Sequence, residues 1–544
     1  MIKPEYIFET SWEVCNRVGG IYTVLSTKAA SMRKEYGDNV VFFGPDIWGS
    51  RTSPFFREDK DLKSDWLCAA KAEGLAVRVG RWTIPGEPIA VLIDFNSLYE
   101  KKDSIYGHVW QRFGVDSIQA YGDYDEASMF GYATGMAMES FYRFYKLENS
   151  RVVAHFNEWM TAFGLFYVKE HLPAVGTLFT THATSIGRSI AGNDKPLYDY
   201  FSGYNGDQMA RELNMVSKHS VEKQAAHYAD CFTTVSYITD KECAQLLDKP
   251  ADVATPNGFE ADFVPKGRLL ISARKNARMK LRQVAEKLLD YKLNDDALFI
   301  CTSGRYEFKN KGIDVVLRVA DMLNRQPLVD NSRQLVFFFA IPAWQCGPRQ
   351  DLQRELLCGG RLQSWNRVTT HELVDYENDK IMGSMRWYGL ENKMSDRVKI
   401  IFIPSYLNGD DGIFNCSYYD LLVGMDLTLF PSYYEPWGYT PLESVAFHVP
   451  TITTGVAGFG QWASRFCTDV VDGVGVVRRN DSNWDELCSN VAQQVSEIAG
   501  MTADEYKLAS RKAAGIAEKA LWKHFFRYYD EAYDIALNKV GQRG

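Results

Sequence analysis

Short apolar runs alternate with helix-spaced segments along almost the whole chain. In the first half the runs fall at 6–8, 40–43, 89–93, 152–156, 175–181 and 231–236. In the second half they fall at 297–303, 334–341, 399–403, 427–430 and 451–454. Several are apolar at every position, which suits parallel strands covered by helices on both faces. Strand and helix alternating in this way is the α/β pattern, and here it occurs twice. The run Thr255-Pro256-Asn257-Gly258 is a strong turn signal after the last strand of the first half. The expected domains are therefore 1–256 and 257–519, each Rossmann-like and doubly wound.

Three helical segments stand out. Over 268–290, Leu270, Ala277, Leu281, Val284 and Leu288 form an apolar stripe, and Arg274, Arg278 and Arg282 form a basic row at i, i+4. Such a helix either packs on its own domain or meets a second copy. A further helical stretch is expected at about 350–390, and with 268–290 it is the candidate homo-oligomer contact. The third runs over 503–540 and is rich in aromatic residues.

Composition narrows the class. The chain has 544 residues, too many for one core. Its net charge of −8 argues against binding nucleic acid through bulk charge. Ten cysteines lie scattered, with no CxxC and no zinc spacing, so no metal is expected and a reducing cytoplasm fits best. The N-terminal MIKPEYIFETSWE has no signal h-region, and no apolar run is long enough to span a bilayer. A soluble cytoplasmic protein with no membrane partner is the expectation.

Ligands of doubly wound sheets bind at the carboxyl ends of the strands, so unusual residues there carry the chemistry. After the first strand, Arg17, Gly19 and Gly20 precede a helix over 21–35. Paired glycines and a helix N-terminus suit an anion. The pattern is not GxGxxG, so no dinucleotide cofactor is implied. His155-Phe156-Asn157-Glu158-Trp159 ends another strand, and Asn157 and Glu158 are candidates for sugar hydroxyls or for a helix cap. His182 and Arg188 flank Gly187 in THATSIGR. Arg305 and Lys311, in GRYEFKNKG, can close on a diphosphate from two sides. The turn YYEPWGYTPLE crowds aromatics beside Glu435 and Glu443. Thr440-Pro441-Leu442-Glu443 fits a capping box with Thr440 as N-cap, which would account for Glu443 alone. Basic groups, aromatics and carboxylates together suit a phosphorylated sugar donor.

The motifs EVCNRVGGIYTVL, HFNEW, THATSIGR, GRYEFKNKG and YYEPWGYTPLE occur in the order and spacing of the animal and fungal glycogen synthases, which the chain resembles over about 5–535. The resemblance implies the GT-B fold, two Rossmann-like domains facing across a deep cleft. It also implies a C-terminal helix, about 520–544, crossing back to the first domain. The implied activity is transfer of glucose from UDP-glucose to the non-reducing 4-OH of an α-1,4-glucan such as glycogen, with retention and without a metal or other cofactor. Glu435 and Glu443 resemble the acids of the family's E-x7-E motif, at the donor glucose and the donor ribose. Arg305 and Lys311 match the diphosphate pair, and Arg17, Gly19 and Gly20 the glycine loop at the donor phosphate. His182 and Arg188 match acceptor-side cleft residues, and Tyr418 the ring against the base. Trp437, Gly438, Tyr439 and Thr440 are expected along the donor pocket.

Two departures bear on function. The family usually has His where this chain has Asn157. The family's Arg-rich helix, which binds glucose 6-phosphate, reads EYKLASRKAAGIAEKALWKHFF here. The chain is also expected to lack the usual regulatory tails, and activity without glucose 6-phosphate is expected. Rival readings are a GT-B enzyme using ADP-glucose or another acceptor, and a non-catalytic glucan-binding scaffold.

Overall fold

The computed structural model describes residues 1–49, 51, 53–326 and 333–542. The chain forms two compact units, Met1–Glu260 with Ala520–Gly544, and Ala261–Lys519.

Among the described residues the first unit carries a nine-stranded sheet. Its strands are β1 (Tyr6–Thr10), β2 (Val40–Pro45), β3 (Phe56–Glu58), β4 (Ala76–Trp82), β5 (Ile89–Asp94), β6 (Val152–Asn157), β7 (Gly176–Thr181), β8 (Cys231–Thr234) and β9 (Val253–Ala254). Their order is β3-β4-β5-β2-β1-β6-β7-β8-β9. Pairing from β5 to β9 is parallel throughout, and β3 and β4 add an antiparallel edge. The central strands β2, β6 and β7 are buried along their whole length, as helices on both faces require.

The chain returns to this unit at its end. Helix Trp522–Gly541 buries Trp522, Phe525, Phe526, Tyr529, Tyr533 and Leu537 against β6 to β9. That spacing is one helical face. Two backbone hydrogen bonds tie the return: Phe259 N–H to Ala520 O at 3.0 Å, and Trp522 N–H to Phe259 O at 3.1 Å. Gly258 is needed here because a Cβ would stand 2.4 Å from the Trp522 ring.

The second unit has a six-stranded sheet among the described residues, all parallel, ordered β14-β11-β10-β15-β16-β17. These are β10 (Leu298–Ser303), β11 (Leu335–Ala340), β14 (Val398–Ile403), β15 (Leu427–Phe430), β16 (Thr451–Thr454) and β17 (Val474–Val477). A small antiparallel pair, β12 (Gln345–Pro348) and β13 (His371–Leu373), lies apart from it.

Two helix expectations change. The stretch 350–390 holds two short helices, Gln350–Cys358 and Lys380–Tyr388, with β13 between them. Gly359, at φ 75°, ends the first. The buried Arg349 then organises the intervening loop, donating to Asn366 O at 2.7 Å and Thr369 O at 3.0 Å and pairing with Asp351 at 2.7 Å. The stretch 503–540 breaks at Ala520-Leu521 into Ala503–Lys519 and Trp522–Gly541.

Helix Arg268–Leu289 packs on its own unit through Ala277, Leu281, Val284 and Leu288. Its basic row also turns inward. Arg274 and Arg278 both bind the Asp426 carboxylate at the foot of β15, and the Phe299 N–H donates to the same group at 2.8 Å. Arg282 donates to the carbonyls of Leu293, Asn294 and Asp295.

Asp426→Ala would leave two half-buried guanidinium groups side by side without a counter-charge. We expect a loss of about 2–4 kcal/mol, read as a lower urea midpoint for the unit. A change under about 0.5 kcal/mol would remove Asp426 as the anchor of this helix.

Candidate active site

Each sheet has one point where the chain's direction of winding reverses. In the first unit it lies between β1 and β6, and in the second between β10 and β15. Loops leaving such a pair at the carboxyl end diverge and open a crevice for a ligand. The candidate residues follow those strands or their neighbours.

In the second unit the loop after β10 carries Arg305 and Lys311, and the loop after β15 carries Glu435. Gly312 closes the first loop at φ 72°, where a Cβ would lie 2.3 Å from Pro431 O. The loops are stitched by Tyr433 and Tyr434 N–H groups donating to Asn310 O at 3.0 and 3.2 Å. The buried Arg479 guanidinium also donates to Pro431 O. Across this seam the Lys311 ammonium donates to the Glu435 carboxylate. Both side chains are mostly buried, at 17% and 15% exposure. Arg305 stands at the same loop, 61% exposed, with Glu307 at 3.2 Å. An ammonium and a carboxylate in contact thus sit beside an accessible guanidinium.

The backbone behind Glu435 is equally fixed. Its carbonyl accepts from Gly458 N–H at 3.0 Å, and the Trp437 carbonyl accepts from Phe459 N–H at 2.7 Å. Trp437 is only 4% exposed and packs against Phe459 and Trp462. Its indole enters an aromatic core and so anchors the turn from inside. The capping box is also absent. The helix is Tyr439–Ala446, its N-cap is Gly438 at φ 107°, and Thr440 lies within the first turn. Glu443 instead accepts from the Tyr419 hydroxyl at 2.7 Å. Next to it, the Tyr418 hydroxyl bonds Ser303 Oγ at 2.7 Å, bringing that ring to the end of β10. Tyr439 and Thr440 keep part of their surface open beside Glu435.

In the first unit, the helix N-terminus after β1 is partly filled by the chain itself. Glu13 accepts from the Gly19 and Tyr22 N–H groups at 2.7 and 2.9 Å. Glu13 thus already occupies N–H groups of the loop at which an anion is expected near Gly19 and Gly20. Arg17 is exposed above it, its guanidinium 5.7 Å from the Tyr22 ring.

After β6 and β7, Asn157, Glu158, His182 and Arg188 come together. Asn157 is 2% exposed and engaged on both sides, with Glu9 and Thr10 at 2.9 and 3.1 Å and with His182 Nε2 at 3.0 Å. Both ends of its amide are thus engaged within the protein. Neither Asn157 nor Glu158 serves as the expected cap. Glu158 has φ 71° and its carboxylate accepts the His182 N–H at 2.8 Å. Glu222, buried below, accepts from the Ser185 N–H at 2.8 Å and from the Thr181 and Ser185 hydroxyls. Gly187 is required because a Cβ would come 2.3 Å from Glu242. Arg188 is exposed on the following helix turn and its charge favours ionisation of both Glu158 and Glu222.

Burial keeps the His182 imidazole neutral, with its pKa down to about 3. Burial, with Glu222 adding repulsion, pushes Glu158 up to about 8, although part of its side chain meets solvent. Glu13 and Glu222 were not singled out in the sequence. Glu13 stands six positions before Gly19, and an acid just ahead of a helix start is a usable signal. Glu222 lies inside a helix and belongs to no motif. Among the described residues no group of three or more His, Cys, Asp or Glu is placed to hold a metal, and no helix is long and apolar enough to cross a membrane.

An acid with a raised folded pKa holds its proton more tightly folded than unfolded. Glu158 therefore costs stability as pH climbs from the ordinary carboxylate range towards 8. Glu158→Gln keeps the acceptor for His182 N–H without the charge. Its melting temperature should match the parent at pH 5 and exceed it by about 1–3 °C at pH 8. A variant that melts lower than the parent at pH 8 contradicts the assignment.

The glycogen synthase family model matches residues 9–347 and 346–542. The liver glycogen [starch] synthase of Mus musculus is 28% identical over 595 residues, covering 99% of this chain and 84% of that protein. The glycogen [starch] synthase of Neurospora crassa is 28% identical over 606 residues, with 99% and 84% covered. Of solved structures, the catalytic domain of starch synthase IV from Arabidopsis thaliana, bound to ADP and acarbose, aligns with a TM-score of 0.56. It is 13% identical and covers 98% of this chain and 99% of that one. Sucrose-phosphate synthase from Thermosynechococcus elongatus aligns with a TM-score of 0.52 at 14% identity, covering 98% and 97%. Identities this low speak to the fold, which is GT-B. With two Rossmann-like units and a family match running almost from end to end, the chain belongs to the glycogen synthase family.

Proposed function

We propose that this protein is a retaining glucosyltransferase of the animal and fungal glycogen synthase type, moving glucose from UDP-glucose to the non-reducing 4-OH of an α-1,4-glucan. The observation that carries the reading is the Lys311–Glu435 contact at the winding reversal of the second sheet. It brings together the two charges the reaction separates.

In the transfer, the bond from the anomeric carbon to the diphosphate breaks and a bond to the acceptor 4-oxygen forms on the same face. The sugar gains positive character and the leaving diphosphate gains negative charge. Lys311 and the accessible Arg305 neutralise the diphosphate. Glu435, released from Lys311, faces the cationic sugar. The acceptor's hydroxyl proton passes to the departing phosphate oxygen, so no separate base is needed. Tyr418, at the end of β10, offers its ring to the base, and Glu443 with Tyr419 supports the ribose. Arg17 and the backbone at Gly20 serve the donor phosphate beside Glu13. His182 and Arg188 act on the sugar side from the first unit. Glu158 holds their loop.

Two cations of helix Ala503–Lys519 already have partners within the protein. Lys512 pairs with Asp472 at 2.6 Å and Lys519 lies over the Phe466 ring. This supports activity that needs no glucose 6-phosphate.

The test is incorporation of labelled glucose into glycogen from UDP-glucose, with ADP-glucose as the competing arm. We expect turnover with UDP-glucose, loss of transfer in Glu435→Gln, and a fall of about 10²–10³ in rate for Arg305→Ala. Preference for ADP-glucose would overturn the donor. Glycogen binding without any UDP release would convert the reading to a glucan-binding scaffold.

A further inference from the structure

A chain of buried polar groups runs beneath His182, and the sugar-transfer chemistry has no direct use for it. Lys28 and Glu9 are both fully buried and pair at 2.9 Å. The same Glu9 oxygen accepts from Asn157 Nδ2 at 2.9 Å and lies 3.1 Å from His155 Nδ1. Asn157 Nδ2 also donates to Thr10 O at 3.1 Å. The other end of the amide, Oδ1, stands 3.0 Å from His182 Nε2.

Chemistry decides which way this amide points. A carboxylate and a carbonyl both face one end of the Asn157 side chain, and neither can donate. That end must be the NH₂, so the end towards His182 must be the oxygen. An oxygen can only accept, so the imidazole nitrogen facing it must carry a proton. The opposite tautomer would set two lone pairs against each other at 3.0 Å. We propose that Asn157 is a positioning residue: its amide, oriented by the buried Glu9 carboxylate, holds His182 as the Nε2–H tautomer and leaves Nδ1 as the acceptor of the ring. The functional part of this inference rests on the reading that His182 belongs to the transfer site.

Two further features fit. Burial and the nearby Lys28 charge oppose protonation of His182, so the ring is a neutral imidazole and only its tautomer is open. Burial alone would push Glu9 up, and His155 and Lys28 together outweigh it and hold the carboxylate ionised. The Lys28 ammonium lies 4.1 Å from the centre of the Tyr529 ring, on the returning C-terminal helix. The orientation of Asn157 is thus set by groups from three elements, β1, the helix Gly20–Tyr36 and the helix Trp522–Gly541. A neutral histidine with its Nδ1 bare accepts the hydrogen bond of a sugar hydroxyl, whereas the other tautomer could only donate at that position.

The experiment is side-chain ¹⁵N NMR of the full chain labelled at histidine. The chain has nine histidines, and His182 is assigned as the signal lost in His182→Gln. The expected spectrum gives a protonated Nε2 and a bare Nδ1 for His182, unchanged from pH 6 to 8. In Asn157→Leu the same signals should move towards a mixture of tautomers, and kcat on the glucan should fall about two- to tenfold, the worth of one hydrogen bond. A protonated Nδ1 or a tautomer mixture in the parent protein overturns the proposal, whether or not the variant folds. So does an Asn157→Leu protein whose His182 signals are unmoved. The tautomer result stands apart from the transfer assay, so a protein inactive on UDP-glucose with the expected spectrum would sink the functional reading and spare the geometry.

Discussion

A charge taken out of water needs a partner, because leaving it alone in a low-dielectric interior costs several kcal/mol. That constraint shapes every part of this protein. Asp426 holds two arginines and thereby fixes helix Arg268–Leu289. Glu9 and Lys28, both fully buried, neutralise each other under β1 and β6. The same rule reaches the ligand-binding edge. Glu13 sits on the helix N-terminus that an anion would otherwise take, and Lys311 rests on Glu435. The binding groups are thus compensated from within until something better replaces the internal partner.

On the proposed function, donor binding would be an exchange of partners. A diphosphate brings more negative charge to Lys311 than one carboxylate does, so the ammonium would transfer to it and free Glu435. A carboxylate released in that way is immediately available to a sugar that is becoming cationic. The stitched loops around Asn310, Pro431 and Gly458 confine the exchange to side chains, since their backbones are pinned by hydrogen bonds. On the first unit, the Arg188 charge favours ionisation of the acids Glu158 and Glu222, against burial, which raises both and pushes Glu158 to about 8.

Much of this architecture was legible in the sequence because parallel strands buried on both faces have to be apolar without interruption. The runs around 40–43, 334–341 and 427–430 announce β2, β11 and β15 with little ambiguity. Edge elements were not legible. β4, second from the edge, reads AVRVGRW, where the partly buried Arg78 and Arg81 interrupt the apolar run, and β17 is the four-residue VGVV. At the site, residue types were readable and their partners were not. GRYEFKNKG and YYEPWGYTPLE point to Lys311 and Glu435, and nothing local says that the two touch. Trp437 reads as a pocket wall until Phe459 and Trp462 surround it. Thr440 has the spacing of a cap, yet Gly438 takes that place because the turn there needs a positive φ. Asn157 resembles a sugar ligand by position, and only tertiary packing shows Glu9 and His182 on either side of it.

On the proposed function, a donor diphosphate replaces Glu435 as the partner of Lys311. A crystal structure of the protein with UDP tests this most directly. The expected structure has a phosphate oxygen within hydrogen-bond distance of Lys311 Nζ, with Arg305 on the same diphosphate and Glu435 no longer touching the ammonium. UDP bound elsewhere, or bound with the Lys311–Glu435 contact intact, would contradict it.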